Sequence, residues 1–282
     1  MRARLTNIIF PRWYSFDGLR WKGHADGELA GQVTRADVYD RFLGRLDEVN
    51  DICAFLGTML GAARAPDAGA PRVLDAGCGT GRLLPTLVGR GWRVDGLEPD
   101  ADYRRAALAR EPTVNIRHQH IEDLDVTAGF ELIALVNGPL GYLTDPTRRG
   151  AALARIHEAL SPDGCVVIDL PDFTWIRAHY TPPIRQVARF GEVVVTRAPR
   201  HGFDQPGVWL HTDVIERTGP GVAETWEEVV PLAIIDAGAL THELASAGFR
   251  EIRRWARWTS TSPMETTFAP AVGPRLIVTA RR

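Results

Sequence analysis

The segment Val73-Leu74-Asp75-Ala76-Gly77-Cys78-Gly79-Thr80-Gly81-Arg82-Leu83 holds the residues best suited to chemistry: a short apolar strand, then glycine at every second position, then a helix start. Glycines at 77, 79 and 81 remove Cβ atoms where the backbone must turn sharply and let a ligand lie against it. The helix behind them offers free N–H groups and a positive dipole end, so the loop suits a nucleotide-like ligand carrying a carboxylate or phosphate. The dinucleotide fingerprint spaces its glycines at first, third and sixth place, whereas these fall at first, third and fifth, preceded by an acid. The next apolar run, Trp92 to Leu97, ends in Glu98, where a doubly wound fold puts the carboxylate that accepts both hydroxyls of a ribose.

These residues need a scaffold, and the order of elements supplies one. Strand 73 to 76, helix 82 to 89, strand 92 to 97, helix 101 to 110, a short strand 113 to 117, strand 130 to 136, helix 146 to 160, a turn Ser161-Pro162-Asp163-Gly164 and strand 165 to 170 form successive βαβ units. Strands this apolar require helices on both faces, and right-handed crossovers put ligands at their carboxyl ends. After Tyr180 the pattern changes. Residues 186 to 190, 192 to 197, 208 to 217 and 224 to 230 read as four short antiparallel strands between Gly/Pro turns. Asp236 then caps a helix to Ala247, and strands 251 to 258 and 275 to 279 close the sheet. Upstream, Thr34 with Asp37 caps one continuous amphipathic helix carrying Val38, Phe42, Leu46, Val49, Ile52, Leu56 and Leu60. The first 33 residues are aromatic, Gly/Arg-rich and irregular.

The expected fold is α/β: a doubly wound, Rossmann-like sheet of seven strands with an antiparallel β insertion before the last helix. Four regions follow: 1–70, an aromatic lid and cap helix; 71–180, the cofactor-binding core; 181–232, the β insertion; and 233–282, completion of the core sheet. The insertion is expected to cover an acceptor pocket or to form a homodimer contact, because short strands cannot bury themselves alone.

The 282 residues carry 45% apolar content and a formal charge of −2, which supports a core and gives no reason to expect nucleic acid or an anionic membrane as partner. There is no apolar run of membrane-spanning length, and Arg2, Arg4, Asn7 and Pro11 interrupt the start, so the expectation is a cytoplasmic chain without a secretory leader. Cys53, Cys78 and Cys165 are isolated and expected to stay reduced, and no metal-ligand spacing occurs.

Taken together, the glycine loop, Glu98-Pro99, the segment Phe130-Glu131-Leu132-Ile133 running into Asn137-Gly138-Pro139-Leu140-Gly141-Tyr142-Leu143, and Ser161 to Asp169 resemble the class I S-adenosylmethionine-dependent methyltransferases, nearest in wording to the nucleotide-sugar N-methyltransferases. The resemblance implies S-adenosylmethionine as cofactor, held by Asp75, Ala76, Gly77, Gly79, Gly81 and Arg82, with Glu98 and Pro99 at the ribose, Tyr103 against the adenine and Asn137 after the fourth strand. One departure stands out. The family's acid for the adenine amino group is replaced by His120, whose neutral imidazole can accept the same bond; Glu122 or Asp123 in a shifted loop is the alternative, and Ile121 offers its N–H to the ring.

Methyl transfer from a sulfonium needs a lone pair aimed at the methyl carbon and exclusion of water. An amine supplies that without an enzymic base, whereas an alcohol must lose its proton to a histidine or carboxylate. Tyr142 is the first candidate for orienting the nucleophile or receiving its proton, Tyr14 for covering the sulfonium and His179 for a base. Pro171 to Trp175 and His179-Tyr180 would shape the acceptor pocket. The expected function is methylation of a small-molecule acceptor, an amine of a secondary metabolite ahead of an alcohol. Cyclisation or alkyl transfer from the same cofactor, and cofactor binding without turnover, are the alternatives.

Overall fold

The structure is a computed structural model that describes residues 33–44, 46–61, 69–179, 181, 185–267 and 270–282, the side chains of 204 and 205 excepted. Its centre is a seven-stranded sheet ordered β3(Asn115–Arg117)-β2(Arg93–Leu97)-β1(Arg72–Ala76)-β4(Phe130–Leu135)-β5(Leu160–Pro171)-β11(Arg275–Arg281)-β10(Arg250–Trp255). β1 to β5 run parallel, and β11 is antiparallel to both neighbours. This is the Rossmann-like sheet the sequence predicts.

Alternate residues of each strand serve opposite faces, which explains the near-continuous apolar runs. Leu74, Ile133, Val166 and Ile168 pack with α5(Pro146–Ala159) and α7(Ala237–Ser246) on one side. Val73, Leu132, Ala134 and Val167 pack with Ile52, Phe55 and Leu56 of α2(Val49–Gly61) and Leu87 of α3(Leu84–Gly89) on the other. Removing a methylene-rich side chain from either layer, Leu56→Ala for example, leaves a cavity costing about 2–5 kcal/mol.

Three expectations need correction. The helix expected from Thr34 onward is broken: α1 spans Arg35–Phe42, a single 3-10 turn covers Leu46–Glu48, and α2 follows. Gly44 marks the break, its N–H bonding back to the Tyr39 carbonyl. Hydrophobic periodicity runs through such a break because both helices cover the same core. The Thr34–Asp37 capping box forms as read. Ser161 to Gly164 is not a free turn but an irregularity inside β5, where pairing jumps from Phe130/Leu160 to Leu132/Cys165. In the insertion, β6(Gln186–Phe190) is short, but β7(Val193–Gln205), β8(Val208–Gly219) and β9(Val222–Ala233) are 13, 12 and 12 residues long. The stretch between Arg197 and Val208, expected to hold a turn, continues β7 to Gln205, and its Pro199 to Gly202 stay paired with Leu210 to Asp213 of β8. These strands form a separate antiparallel sheet in the order β6-β7-β8-β9. A helix absent from the sequence reading, α6(Phe173–His179), follows β5 and is capped by the Asp172 carboxylate.

Candidate functional site

β1 delivers the chain to the glycine loop, where Gly77, Gly79 and Gly81 all take left-handed backbone with φ of +77°, +56° and +77°. Their surroundings differ. A Cβ on Gly77 would lie 2.7 Å from Pro139, and one on Gly81 would lie 2.9 Å from Ala107, so both allow close packing. A Cβ on Gly79 would meet nothing within 4 Å, so the loop is open there to a ligand. The Gly77 and Cys78 N–H groups donate to the Leu97 carbonyl at 2.7 and 3.0 Å, fixing the loop to the end of β2.

Glu98 stands beside that opening. Its Oε2 accepts the Gly79 N–H and its Oε1 the Asp100 N–H, each at 2.8 Å, leaving lone pairs on both oxygens for a cis-diol. Burial pushes its carboxyl up to about 7, partly opposed by the two backbone N–H groups. Burial does the same to Asp75 at the end of β1, also to about 7, with the Arg82 cation opposing it. Asp100 caps α4(Ala101–Arg110) through Oδ1 and so orients Tyr103.

α1 braces this loop in a way the sequence did not reveal. Asp40 accepts the Thr80 hydroxyl through Oδ1 and Arg110 through Oδ2, both at 2.5 Å. Arg82 donates to the Gly44 carbonyl at 2.6 Å, so the helix break supplies its acceptor. The Tyr39 hydroxyl accepts Asn137 Nδ2 at 2.7 Å, and its ring lies 5.2 Å from that of Tyr103. Arg35 sits 4.8 Å over the Tyr103 ring, donates to Asp100 at 2.6 Å and pairs with Glu228 on β9.

At the carboxyl end of β4, Asn137 and Gly138 both adopt positive φ. The Asn137 N–H donates to Asp169 Oδ2 at 2.8 Å, and the fully buried Asp169 is ion-paired with Arg275, which also reaches Glu48 at 3.0 Å. This network fixes the turn Pro139–Tyr142. Tyr142 closes it with 36% of its surface open, yet lies deep enough that burial raises its phenol well above the usual tyrosine range. These two facts fit a side chain on the wall of a concavity. The charges of Glu228, Glu98 and Arg35 all act on that phenol.

The structure thus brings together Asp75, Gly79, Glu98, Tyr103, Asn137 and Tyr142. Pro99 lies in the same loop, its carbonyl 2.8 Å from His118 Nε2. His120 precedes the 3-10 turn Ile121–Asp123, with Ile121 buried. Of the other two candidates for the adenine amino group, Glu122 is paired with Arg148 and Asp123 is exposed. His179 is turned back on its own helix: it is exposed, stacked 4.7 Å from Trp175, with Nδ1 3.0 Å from the Trp175 carbonyl. Tyr14, like Tyr180, lies outside the described residues.

The insertion turns one face inward. Strand register places His201, Trp209, His211, Asp213, Ile215, Trp226, Glu228 and Leu232 on that face. Trp209 meets Phe173 edge-on at 5.3 Å, and Leu232 lies against Gly141. Asp213 holds Arg197 at 2.8 Å and His211 at 2.9 Å, which keeps its carboxyl below the usual range. Burial and the neighbouring His211 lower His201 to about 4.

Residues 73–164 match the family model described as a methyltransferase domain. The chain is 32% identical to the dTDP-3-amino-3,4,6-trideoxy-alpha-D-glucopyranose N,N-dimethyltransferase of Streptomyces venezuelae over 49% of this chain and 57% of that protein. It is 31% identical to the dTDP-3-amino-3,6-dideoxy-alpha-D-glucopyranose N,N-dimethyltransferase of Streptomyces fradiae over 40% of this chain and 43% of that one. The chain therefore spans about half the length of the curated relatives it matches. In fold it is similar to the sugar N-methyltransferase KedS8 from Streptoalloteichus sp ATCC 53650, with a TM-score of 0.71 at 21% identity, covering 92% of this chain and 96% of that one. A glycine loop opening at one glycine, an acid at the end of β2, the strand order and these likenesses agree: residues 73–164 carry a methyltransferase domain, and the chain is similar to sugar N-methyltransferases in fold.

Proposed function

We propose that this chain transfers a methyl group from S-adenosylmethionine to the amine of a deoxyamino sugar. The observation that carries the reading is a shared opening: the empty side of Gly79 and the Glu98 carboxylate lie at the same sheet edge as the accessible face of Tyr142. The sugar amine is supported by what the similar enzymes are named for.

The residues present fit the cofactor. Gly79 leaves room for it, Glu98 would take its ribose hydroxyls, Tyr103, His120 and Ile121 would flank the adenine, and Asp75, Arg82 and Asn137 would face its amino-acid end. When bound, it supplies a methyl carbon on a positively charged sulfur that a lone pair displaces in line. The protein's own contribution is orientation and exclusion of water. Tyr142 keeps its proton at neutral pH, so it acts as a hydrogen-bond partner of the nucleophile and not as a base. An amine acceptor requires nothing more.

Incubation of the protein with S-adenosylmethionine and dTDP-3-amino-3,6-dideoxy-alpha-D-glucopyranose tests the reading by product mass. Formation of S-adenosylhomocysteine with a sugar gaining one or two methyl groups is expected. Cofactor binding without turnover on amino sugars would overturn it.

A further inference from the structure

β9 turns alternate residues toward α1 and the Pro139–Tyr142 turn: Trp226 packs beside Val33 and Val38, and Leu232 against Gly141. Glu228 falls between Trp226 and Val230 in this row, opposite Asp213 of β8. A carboxylate placed there needs partners, and Arg35 provides them for one oxygen only, because its Nε, at 3.1 Å, and its NH2 group both end on Oε1. Oε2 accepts no hydrogen bond from the described residues and is not sealed from solvent, the side chain retaining 18% of its surface.

The other carboxylates of the concavity are committed. Glu98 accepts a backbone N–H group on each oxygen, and the reading above gives its remaining lone pairs to the ribose. Asp100 caps α4 with one oxygen and takes Arg35 with the other. Asp40 holds Thr80 and Arg110, and Asp213, opposite Glu228, holds Arg197 and His211. Asp75 is buried near the end of β1. Glu228 is therefore the carboxylate with an oxygen to offer on the acceptor side, and its charge acts on the phenols of both Tyr142 and Tyr103.

We propose that Glu228 is the anchor for the acceptor nitrogen, selecting an amine through the free Oε2. This rests on the amine reading above. The acceptor arrives as an ammonium attracted by the carboxylate, and the ammonium releases one proton to water on the open side. One remaining N–H stays on Oε2, which leaves the nitrogen lone pair free to point at the methyl carbon. As the N–C bond forms the C–S bond breaks, its electrons remain on sulfur, and the product is a methylated ammonium.

The test is calorimetric titration of wild type, Glu228→Gln and Arg35→Met with two probes: dTDP-3-amino-3,6-dideoxy-alpha-D-glucopyranose and the same nucleotide sugar bearing a hydroxyl in place of the amine. Glu228→Gln keeps size and loses charge. Its affinity for the amine probe should fall roughly 10- to 100-fold, the range of a lost charge-assisted hydrogen bond, while the hydroxyl probe and S-adenosylmethionine change by no more than about twofold. Unchanged affinity of Glu228→Gln for the amine probe overturns the proposal. So does an equal loss for both probes that Arg35→Met reproduces, since that is what a mere partner of Arg35 would give. Failure of the wild type to bind the amine probe overturns the amine reading itself, and this inference with it.

Discussion

Replacing Glu98 by Gln separates what its carboxylate does for the fold from what it does for the cofactor. Gln keeps one acceptor oxygen for the Gly79 or Asp100 N–H but has no charge to offer the ribose hydroxyls. A hydrogen bond to a charged group contributes about 1.5–3 kcal/mol, so the Kd for S-adenosylmethionine should rise roughly 10- to 150-fold. Wild-type affinity should also depend on pH. Burial raises the Glu98 carboxyl from 4.5 to about 7, so between those values the unfolded chain binds fewer protons than the folded one. Stability of the free protein therefore falls as pH rises through that window, by on the order of 3 kcal/mol in all for Glu98. Asp75 titrates over the same range and interacts with Glu98, so the slope belongs to the pair. Hydroxyl donors favour the ionised form, and cofactor affinity should strengthen as pH approaches about 7 and then level off. Calorimetry and thermal unfolding on the same samples, from about pH 5.5 to about pH 8, would show both slopes reduced in Glu98→Gln. An affinity in the folded variant equal to wild type, or a wild-type affinity flat across that window, would refute the placement of Glu98 at the ribose.

The glycines of the loop should separate likewise. Gly81→Ala drives a Cβ to 2.9 Å from Ala107 at positive φ and should lower stability by about 3 kcal/mol in thermal unfolding, whereas Gly79→Ala has space, loses only about 1–2 kcal/mol to backbone strain, and should weaken the cofactor more than the fold. His120→Ala should weaken S-adenosylmethionine about fivefold by calorimetry, a neutral hydrogen bond's worth, while Asp123→Asn leaves it unchanged; the reverse order would return the adenine contact to the acid. Tyr142→Phe should lower kcat on the order of tenfold with its pH profile unmoved, because a phenol that keeps its proton orients and does not deprotonate. A loss of about 100- to 10,000-fold with a displaced profile would make it a general base instead.

The cofactor half was legible because its signals are local. A glycine loop between strand and helix, the acid ending β2 and the capping box at Thr34 are each read within a few residues. What escaped depends on distant partners. Nothing near Arg35 announces that it bridges Asp100 and Glu228, the latter 193 positions away. Tyr39 and Asp40 read as ordinary helix residues until α1 is laid against the glycine loop. One usable signal existed in β9, where alternation puts Glu228 between Trp226 and Val230, and a carboxylate flanked by inward apolar side chains asks for a ligand or an ion pair. The break at Gly44 and the lengths of β7 to β9 were missed because periodicity reports which face is buried, not whether the backbone is continuous. His179 reads as a base from its residue type and its place after β5, but neither shows which way the ring points, and in the structure it lies against Trp175.

The most direct test of the whole account is transfer of an isotopically labelled methyl group from S-adenosylmethionine to an amino sugar, followed by nuclear magnetic resonance of the product. The account predicts a labelled N-methyl signal with wild type, carried at a lower rate by Tyr142→Phe and lost at limiting cofactor in Glu98→Gln. A label that appears on oxygen or carbon, or that stays on the cofactor while the protein binds both ligands, would contradict it.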